Sequence, residues 1–224
     1  MNRFFVKNKI DENTFELDEN ILKHIKVARL KNENFYCNYQ GKFYVCKLEN
    51  NNATILEEVN INHEYKNEVV LAAPIIKIPR FEWMLEKAVE LGVTKIIPTI
   101  TQYTDGSLVK YDLPKKYQRH CEIVKNAAEQ SFRNIIPQLT DPQKIADVLN
   151  EYQSKNIYIA HEKASENRTT VLKTNSIIFI GPEGGFSDEE IALAEQFGAK
   201  TISLGKTILR AETAAICALS KIDE

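Results

Sequence analysis

The sequence lacks the short cysteine and histidine patterns that mark metal and redox sites. Its four cysteines form no C-x-x-C pair, and its four histidines show no H-E-x-x-H or related spacing. The cysteines are therefore predicted to be small, buried and reduced, and no metal site is predicted. The residues concerned are Cys37, Cys46, Cys121, Cys217, His24, His63, His120 and His161.

Long hydrophobic runs are also missing. The longest run, residues 69–76, has eight residues including Pro74, whereas a membrane span needs about 20 apolar residues. The N-terminal segment MNRFFVKNKIDEN is charged and has no apolar stretch, so it does not read as a signal peptide. We therefore expect no membrane segment and a cytoplasmic protein.

The common nucleotide-binding fingerprints fail as well. The glycine-bearing loops near the C-terminus contain no G-x-G-x-x-G pattern. Gly205-Lys206-Thr207 resembles the end of a P-loop, but the rule requires a glycine at position 200, where the chain has Lys200. A nucleotide hydrolase is therefore only a distant alternative.

The whole chain has no large excess of positive or negative charge: it contains 29 basic and 31 acidic residues, for a net charge of −2. The exception is the segment 110–133, which holds six basic and three acidic side chains. Such a segment could neutralise RNA phosphates, or it could be the solvated face of a helix. Charge alone favours neither interpretation.

The pattern of hydrophobic residues in the sequence changes near residue 67. Residues 1–66 are rich in aromatic and β-branched segments such as FYCNYQGKFYVCKL, with a turn at Gln40-Gly41. This pattern predicts four to six short strands, little helix and a small β-barrel.

Residues 67–224 alternate between apolar runs and helical patterns. VVLAAP predicts a strand buried on both faces, and apolar residues spaced over 81–91 predict a helix that stops at Gly92. Further helices are predicted over 114–131 and from Pro142 to Tyr152, and further strands at TKIIP, IIPQL, NIYIA and SIIFI. This alternation predicts an α/β domain with a mostly parallel sheet, whose ligands bind at the carboxyl ends of the strands.

Two glycine-bearing loops, GPEGGFSDEE and LGKTILRAETA, follow predicted strands of this sheet and open helices. Ser187 and Glu190 have the spacing of a capping box. Carboxylates crowd the first turn of that helix and disfavour a bound phosphate. The helix after Arg210 is dense in small residues, which allow close packing within the chain or across a subunit interface. Backbone groups of the loops could hold an uncharged or cationic nucleoside-like ligand.

The same two loops resemble the cofactor motifs of the SPOUT class of S-adenosylmethionine-dependent RNA methyltransferases. More closely, they resemble the bacterial 16S ribosomal RNA (uracil-3-N) methyltransferase family. Four further segments resemble sequences found at the corresponding positions of that family: RFF, HIKVARL, EKAVELGVTKIIP and AAEQSFRNIIPQL. Two features depart from the family pattern. Ala211 stands where threonine is usual, and TQYTDGSLV lacks an arginine-serine pair.

The resemblance implies a PUA-like, RNA-binding β-barrel in residues 1–66 and an α/β trefoil-knot domain in residues 67–224. It implies S-adenosylmethionine as cofactor, a homodimer, and methylation of uracil N3 in 16S rRNA on the 30S subunit. A related enzyme that methylates a ribose 2′-hydroxyl would use the same loops. A non-catalytic RNA-binding module is the alternative from another class.

The resemblance and the chemistry of the step also suggest site residues. Arg210 is expected to stabilise negative charge on the uracil, or else to pair with a nearby carboxylate or an RNA phosphate. Glu212 is expected to accept the uracil proton, to orient Arg210 or to cap its own helix. Glu183 could accept the proton, orient Arg210 or serve as a structural turn residue. Glu129 could line the substrate pocket with Gln130. The expected cofactor-binding residues are Ile180, Gly181, Pro182, Glu183, Gly184, Leu204, Gly205, Ile208, Leu209, Arg210 and Thr213. The expected RNA-binding residues are Arg3, Lys26, Arg29, Arg119, Gln130 and Arg133.

Overall fold

The computed structural model describes residues 2–161 and 171–224, and its contacts divide the chain into two compact units. The first unit contains the residues up to Glu64 together with Ala128–Ile135. The second contains Tyr65–Ala127 and Ile136–Glu224. The sequence predicts a single boundary after residue 66. In the structure, residues 128–135 also belong to the first unit, which the sequence pattern does not predict.

The first unit is built on one six-stranded sheet, with the strand order β1-β4-β5-β6-β3-β2. Its first two neighbours, β1 and β4, are parallel, and the remaining pairs are antiparallel. The strands are β1 Arg3–Phe5, β2 Lys9–Asp11, β3 Thr14–Glu16, β4 Phe35–Tyr39, β5 Lys42–Glu49 and β6 Asn52–Val59. Helix α1, Glu19–Val27, begins after Asp18, whose carboxylate accepts from the Ile21 N–H at 2.8 Å.

Local residue choice explains the turns and the core of this sheet. Gln40 and Gly41 both have positive φ, 52° and 82°, as a tight turn between β4 and β5 requires. Phe4, Phe15 and Phe35 are buried in a cluster that also takes the two buried isoleucines of α1. The sheet therefore buries one face under its own aromatic residues and α1.

The segment 128–135 completes the first unit. The Phe132 ring lies 4.7 Å from the Phe43 ring and 5.3 Å from the Tyr36 ring, measured between centroids. The Asn134 amide donates to the carbonyls of Gly41 at 2.8 Å and Ile61 at 2.7 Å. These contacts join residues far apart in the sequence. The packing of the first unit is therefore complete only when residues 128–135 are in place.

The second unit is built on a parallel sheet of seven strands, ordered β10-β8-β7-β13-β11-β14, with β9 also beside β8. Every described pair in this sheet is parallel, as expected from the alternation of strands and helices. The strands are β7 Val69–Pro74, β8 Lys95–Ile100, β9 Gln138–Leu139, β10 Gln143–Lys144, β11 Asn156–Ala160, β13 Ser176–Phe179 and β14 Lys200–Ile202. Two short strands, β12 Leu172–Lys173 and β15 Ile222–Asp223, form a separate parallel pair.

The helices follow the predicted order, with differences at their ends. They are α2 Ile78–Glu90, α3 Leu113–Gln130, α4 Ile145–Glu151, α5 Asp188–Gln196 and α6 Ala211–Leu219, and a π-helical turn, Leu108–Asp112, leads into α3. The prediction that Pro142 begins a helix is wrong. Pro142 precedes β10, whose pairing with β8 keeps the chain extended until α4 starts at Ile145.

The core of the second unit agrees with the sequence pattern. All residues of β7 and β13 are buried, as predicted for VVLAAP, and Phe81, Met84, Leu85 and Ala88 form the buried stripe of α2. Gly92 ends α2 with φ +89°, and a Cβ there would lie 2.4 Å from the Tyr65 ring. Among the described helices, none is long and apolar enough to cross a membrane.

Candidate active site

A cavity of about 650 Å³ lies in the second unit, at the carboxyl ends of β11, β13 and β14. Residues 180–188 and 203–211 form most of its wall, and Tyr103, Ala160, His161 and Ala214 complete it. Its volume is in the range of small-molecule sites, roughly 300–1,000 Å³. Both glycine loops picked out from the sequence therefore face one cavity.

The first loop, residues 180–187, folds tightly on itself. A Cβ on Gly181 would lie 2.9 Å from the backbone carbon of Gly185, and a Cβ on Gly184 would lie 2.8 Å from the Cβ of Tyr103. Gly185 has φ +71°, and its N–H donates to the Pro182 carbonyl at 2.9 Å. The glycines are thus required by close approach and by a left-handed turn.

The predicted capping box at the start of α5 is present. The Glu190 N–H donates to Ser187 Oγ at 3.2 Å, and the Ser187 N–H donates to Glu190 Oε2 at 3.0 Å. Glu190 does more than close its own helix, because its Oε1 accepts from the Gln102 N–H at 2.8 Å. It therefore fixes the start of α5 to the segment that carries Tyr103.

The second loop, residues 203–210, runs from β14 to α6. Ser203 Oγ donates to the Gly205 carbonyl at 3.3 Å, while Lys206, Thr207 and Ile208 are exposed. Arg210 occupies the N-cap position of α6 without a side-chain capping bond, and its side chain is exposed. Within residues 2–161 and 171–224, no hydrogen bond or ion pair holds the Arg210 guanidinium. It can therefore reach a ligand in the cavity.

The cavity brings together ten of the eleven cofactor residues suggested by the sequence. Thr213 is the exception, because it is exposed on α6 and does not line the cavity, whereas Ala214 does. The sequence reasoning missed Tyr103 and His161. Both follow the ends of parallel strands, β8 and β11, so the rule that ligands meet strand ends could have found them.

Glu212 is placed differently from the expectation that it acts on the substrate. It is 7% exposed and does not line the cavity. Its Oε1 lies 3.7 Å from Arg80 Nε, and Arg80 Nη1 lies 3.4 Å from Glu183 Oε1. Arg80, in the first turn of α2, carried no motif and was also missed by the sequence reasoning.

The expected RNA-binding residues fall into two groups. Lys26, Arg29 and Gln130 are exposed. Arg119 is exposed too, but its guanidinium donates to both Glu82 oxygens, at 2.6 and 3.0 Å, and so lowers the pKa of that carboxyl.

The remaining two arginines have structural partners in the first unit. Arg3 donates to the carbonyls of Glu129 and Gln130 and lies 4.5 Å from the Phe132 ring centroid. Glu129 accepts from the Phe5 N–H through its side chain. The expectation that Arg133 binds RNA phosphates is corrected. It is 2% exposed and its Nε lies 2.9 Å from Glu64 Oε1, so it stabilises the fold.

Comparison with known proteins identifies the family. Residues 63–223 match the family model described as an RNA methyltransferase domain. The chain is 44% identical to the ribosomal RNA small subunit methyltransferase E of Mesomycoplasma hyopneumoniae, over 99% of this chain and 98% of that relative. The chain belongs to the ribosomal RNA small subunit methyltransferase E family.

Further members of the methyltransferase E family match over nearly full length. The relative from Bacillus subtilis is 32% identical over 99% of this chain and 96% of its own. The crystal structure of the Neisseria gonorrhoeae methyltransferase E bound to S-adenosyl methionine has a TM-score of 0.86 and 30% identity, covering 98% of this chain and 95% of that one. These likenesses confirm the fold class expected from the sequence.

Proposed function

We propose that this protein transfers the methyl group of S-adenosylmethionine to ring nitrogen 3 of one uridine in 16S rRNA. As a member of the methyltransferase E family, it is an S-adenosylmethionine-dependent methyltransferase of small-subunit ribosomal RNA. The observation that carries the residue-level proposal is the single cavity formed by both glycine loops, with Arg210 unpaired among the described residues on its wall.

The residues of this cavity fit the cofactor. Gly181, Gly184 and Gly185 leave the backbone of the first loop open to a ligand, and the carboxylates of Glu183 and Asp188 on the wall suit a ligand with a sulfonium and an ammonium group. The first turn of α5 carries Asp188, Glu189 and Glu190, which oppose a polyphosphate. When bound, S-adenosylmethionine supplies an electrophilic methyl group. Residues 180–184 and 204–210 would hold and orient it.

The protein must then activate the uracil. Ring nitrogen 3 carries a proton at neutral pH, so negative charge develops on the imide and its carbonyl oxygens when that proton leaves. Arg210 is suited to stabilise this charge, because its fixed fork of donors matches a planar anionic edge. Its exposed position on the wall lets it reach the base.

For the proton acceptor, we favour Glu183 over Glu212. Glu183 lies on the cavity wall with half of its side chain exposed, whereas Glu212 is buried away from the wall. A base must come within hydrogen-bond reach of the proton that it accepts. Glu212 would then act on the site through Arg80 and not by touching the substrate.

Two further proposals concern the oligomeric state of the protein and where in the cell it acts. We propose that the protein is a homodimer and works in the cytoplasm on the 30S subunit, as the family resemblance implies. Sedimentation velocity at micromolar concentration tests the oligomer, and a single species of monomer mass would contradict it.

The decisive experiment is methyl transfer from labelled S-adenosylmethionine to 30S subunits, deproteinised 16S rRNA and bulk tRNA from a strain that lacks the gene. The modified nucleosides are identified by mass spectrometry. We expect 3-methyluridine, with 30S subunits as the preferred acceptor. A ribose-methylated product would overturn the base assignment, and transfer to tRNA alone would overturn the substrate.

A further inference from the structure

Arg80 lies between two carboxylates, Glu183 on the wall of the cofactor cavity and Glu212 in the helix that follows the second loop. It lies in the first turn of α2 and is not itself a wall residue. Its Nη1 donates to Glu183 Oε1 at 3.4 Å, in the first loop. Its Nε lies 3.7 Å from Glu212 Oε1, in the first turn of α6, just after the second loop.

The burial of Glu212 shows why this arginine matters. The Glu212 side chain is 9% exposed, and its Oε2 has no hydrogen-bond partner among the described residues. Within that part of the chain, Arg80 is the one cation in ion-pair range of Glu212. A buried carboxylate that loses its only cation is strongly unfavourable, so the two side chains hold each other in place.

The same guanidinium is only partly buried, with 35% of the side chain exposed; it donates to Glu183 and lies in ion-pair range of Glu212. α2 packs directly against α6. The position of Arg80 relative to Glu212 is therefore set by helix packing, and Arg80 in turn pairs with Glu183 in the first loop. A planar fork directs separate donors at carboxylates in two different elements, and the single ammonium of lysine lacks that fixed geometry.

We infer that Arg80 is a positioning residue that ties the first loop to the second and so sets the width of the cofactor cavity. This inference rests on the proposed function, because it takes the cavity to be the S-adenosylmethionine site. Arg80 itself touches neither cofactor nor base. It acts through Glu183 and Glu212.

The test compares Arg80→Gln and Arg80→Lys with the wild type by calorimetric titration of S-adenosylmethionine at a temperature well below unfolding. For Arg80→Gln we expect the Kd to rise roughly ten-fold or more, since a displacement of about 1 Å in such a site can cost up to about 100-fold. Arg80→Lys keeps the charge but loses the planar fork, so its Kd should lie between those of the wild type and Arg80→Gln.

Steady-state kinetics separate positioning from catalysis. We expect KM for the cofactor to rise with Kd in Arg80→Gln. The kcat at saturating cofactor should fall as well, because Glu183, the favoured proton acceptor, loses the cation that holds it. A loss confined to kcat, with Kd and KM unchanged, would overturn the inference, because the width of the cavity would then not depend on Arg80.

A double-mutant cycle and a matched control complete the test. If Arg80 acts through Glu212, the Arg80→Gln/Glu212→Gln double variant should bind no more weakly than the worse single variant. Lys87→Gln removes another cation of α2 that pairs with two carboxylates, Glu86 and Glu90, away from the cavity, and its Kd should not change.

The outcomes also distinguish this inference from the proposed function. If the wild type binds no S-adenosylmethionine, the proposed function fails. If the wild type binds and Arg80→Gln binds within two-fold of it, with only a lower melting temperature, the proposed function stands and Arg80 merely stabilises the fold.

Discussion

At Gly184 the first loop passes so close to Tyr103 that no side chain fits between them. A Cβ there would lie 2.8 Å from the Tyr103 Cβ, which belongs to a backbone segment held by Glu190. The contact cannot be relieved by rotating the tyrosine ring, because the atom concerned is attached to the backbone. The loop must move instead.

We therefore expect Gly184→Ala to weaken S-adenosylmethionine binding by roughly ten-fold or more, because the loop would shift by a sizeable fraction of an ångström. Calorimetric titration measures this change. Gly106→Ala is the control, since a Cβ at Gly106 meets nothing within 4 Å and the residue is not on the cavity wall. Equal affinities for the two variants would contradict the close approach.

Arg210 leads to a second prediction at this scale. Arg210→Ala should lower kcat by roughly 100- to 1,000-fold, as for removal of one donor that stabilises developing charge. The Kd for S-adenosylmethionine should change much less, since backbone groups hold the cofactor. Arg210→Lys restores the charge without the fork and should recover part of the rate. A large change in Kd with normal kcat would show that Arg210 binds the cofactor instead.

At the scale of elements, the packing of α2 against α3 contains a buried histidine. His120 is 1% exposed, lies edge-on to the Phe81 ring, and has no hydrogen-bond partner for Nε2 among the described residues. Burial lowers the pKa of His120 from its ordinary value of 6.5, and nearby Arg119 and Lys116 lower it further, against the opposing effect of Glu82.

A lowered pKa means that the unfolded chain takes up this proton at a higher pH than the folded chain does. His120 therefore contributes stability above pH 6.5 that is lost as the pH falls through the lowered pKa. Melting temperatures from pH 7.5 to 5 should fall more steeply in the wild type than in His120→Leu. Equal slopes for the two proteins would contradict this prediction.

The same elements show how far the sequence predicts the structure. Strands buried on both faces, the stop at Gly92 and the capping box at Ser187 depend on residues close together in the chain, and all three are present. The prediction of a helix start at Pro142 was wrong because a proline suits both a helix start and an extended segment. Pairing of β10 with β8 decided between them, and no local pattern encodes that pairing.

At the scale of the whole molecule, the largest departure from the prediction is the segment 128–135. Helical periodicity continues through residue 130, so nothing local marks where the chain joins the first unit. Arg133 looked like part of a basic patch because charge counting ignores burial. Its partner, Glu64, lies 69 positions earlier in the sequence.

This arrangement predicts the behaviour of a fragment cut at the boundary suggested by the sequence. Residues 67–224 alone would retain Phe132 and Arg133 but lose Phe43 and Glu64. We expect this fragment to melt at a lower temperature than the full chain and to aggregate, because an aromatic ring and a buried guanidinium lose their partners.

Differential scanning calorimetry and light scattering of the two chains check this prediction. The same fragment carrying Phe132→Ser should aggregate less, since the exposed aromatic side chain is gone. A fragment that melts with the full chain and stays monodisperse would show that residues 128–135 do not depend on the first unit.

The return of residues 128–135 also has a consequence for synthesis on the ribosome. The first unit cannot close when Glu64 leaves the exit tunnel, because Phe132 and Asn134 have not yet been translated. At roughly 5–20 residues per second, the nascent chain waits several seconds with its N-terminal sheet unfinished. During translation the first unit therefore depends on residues that the ribosome adds late, and a pause between residues 64 and 134 would prolong the exposure of the unfinished sheet to proteases and chaperones.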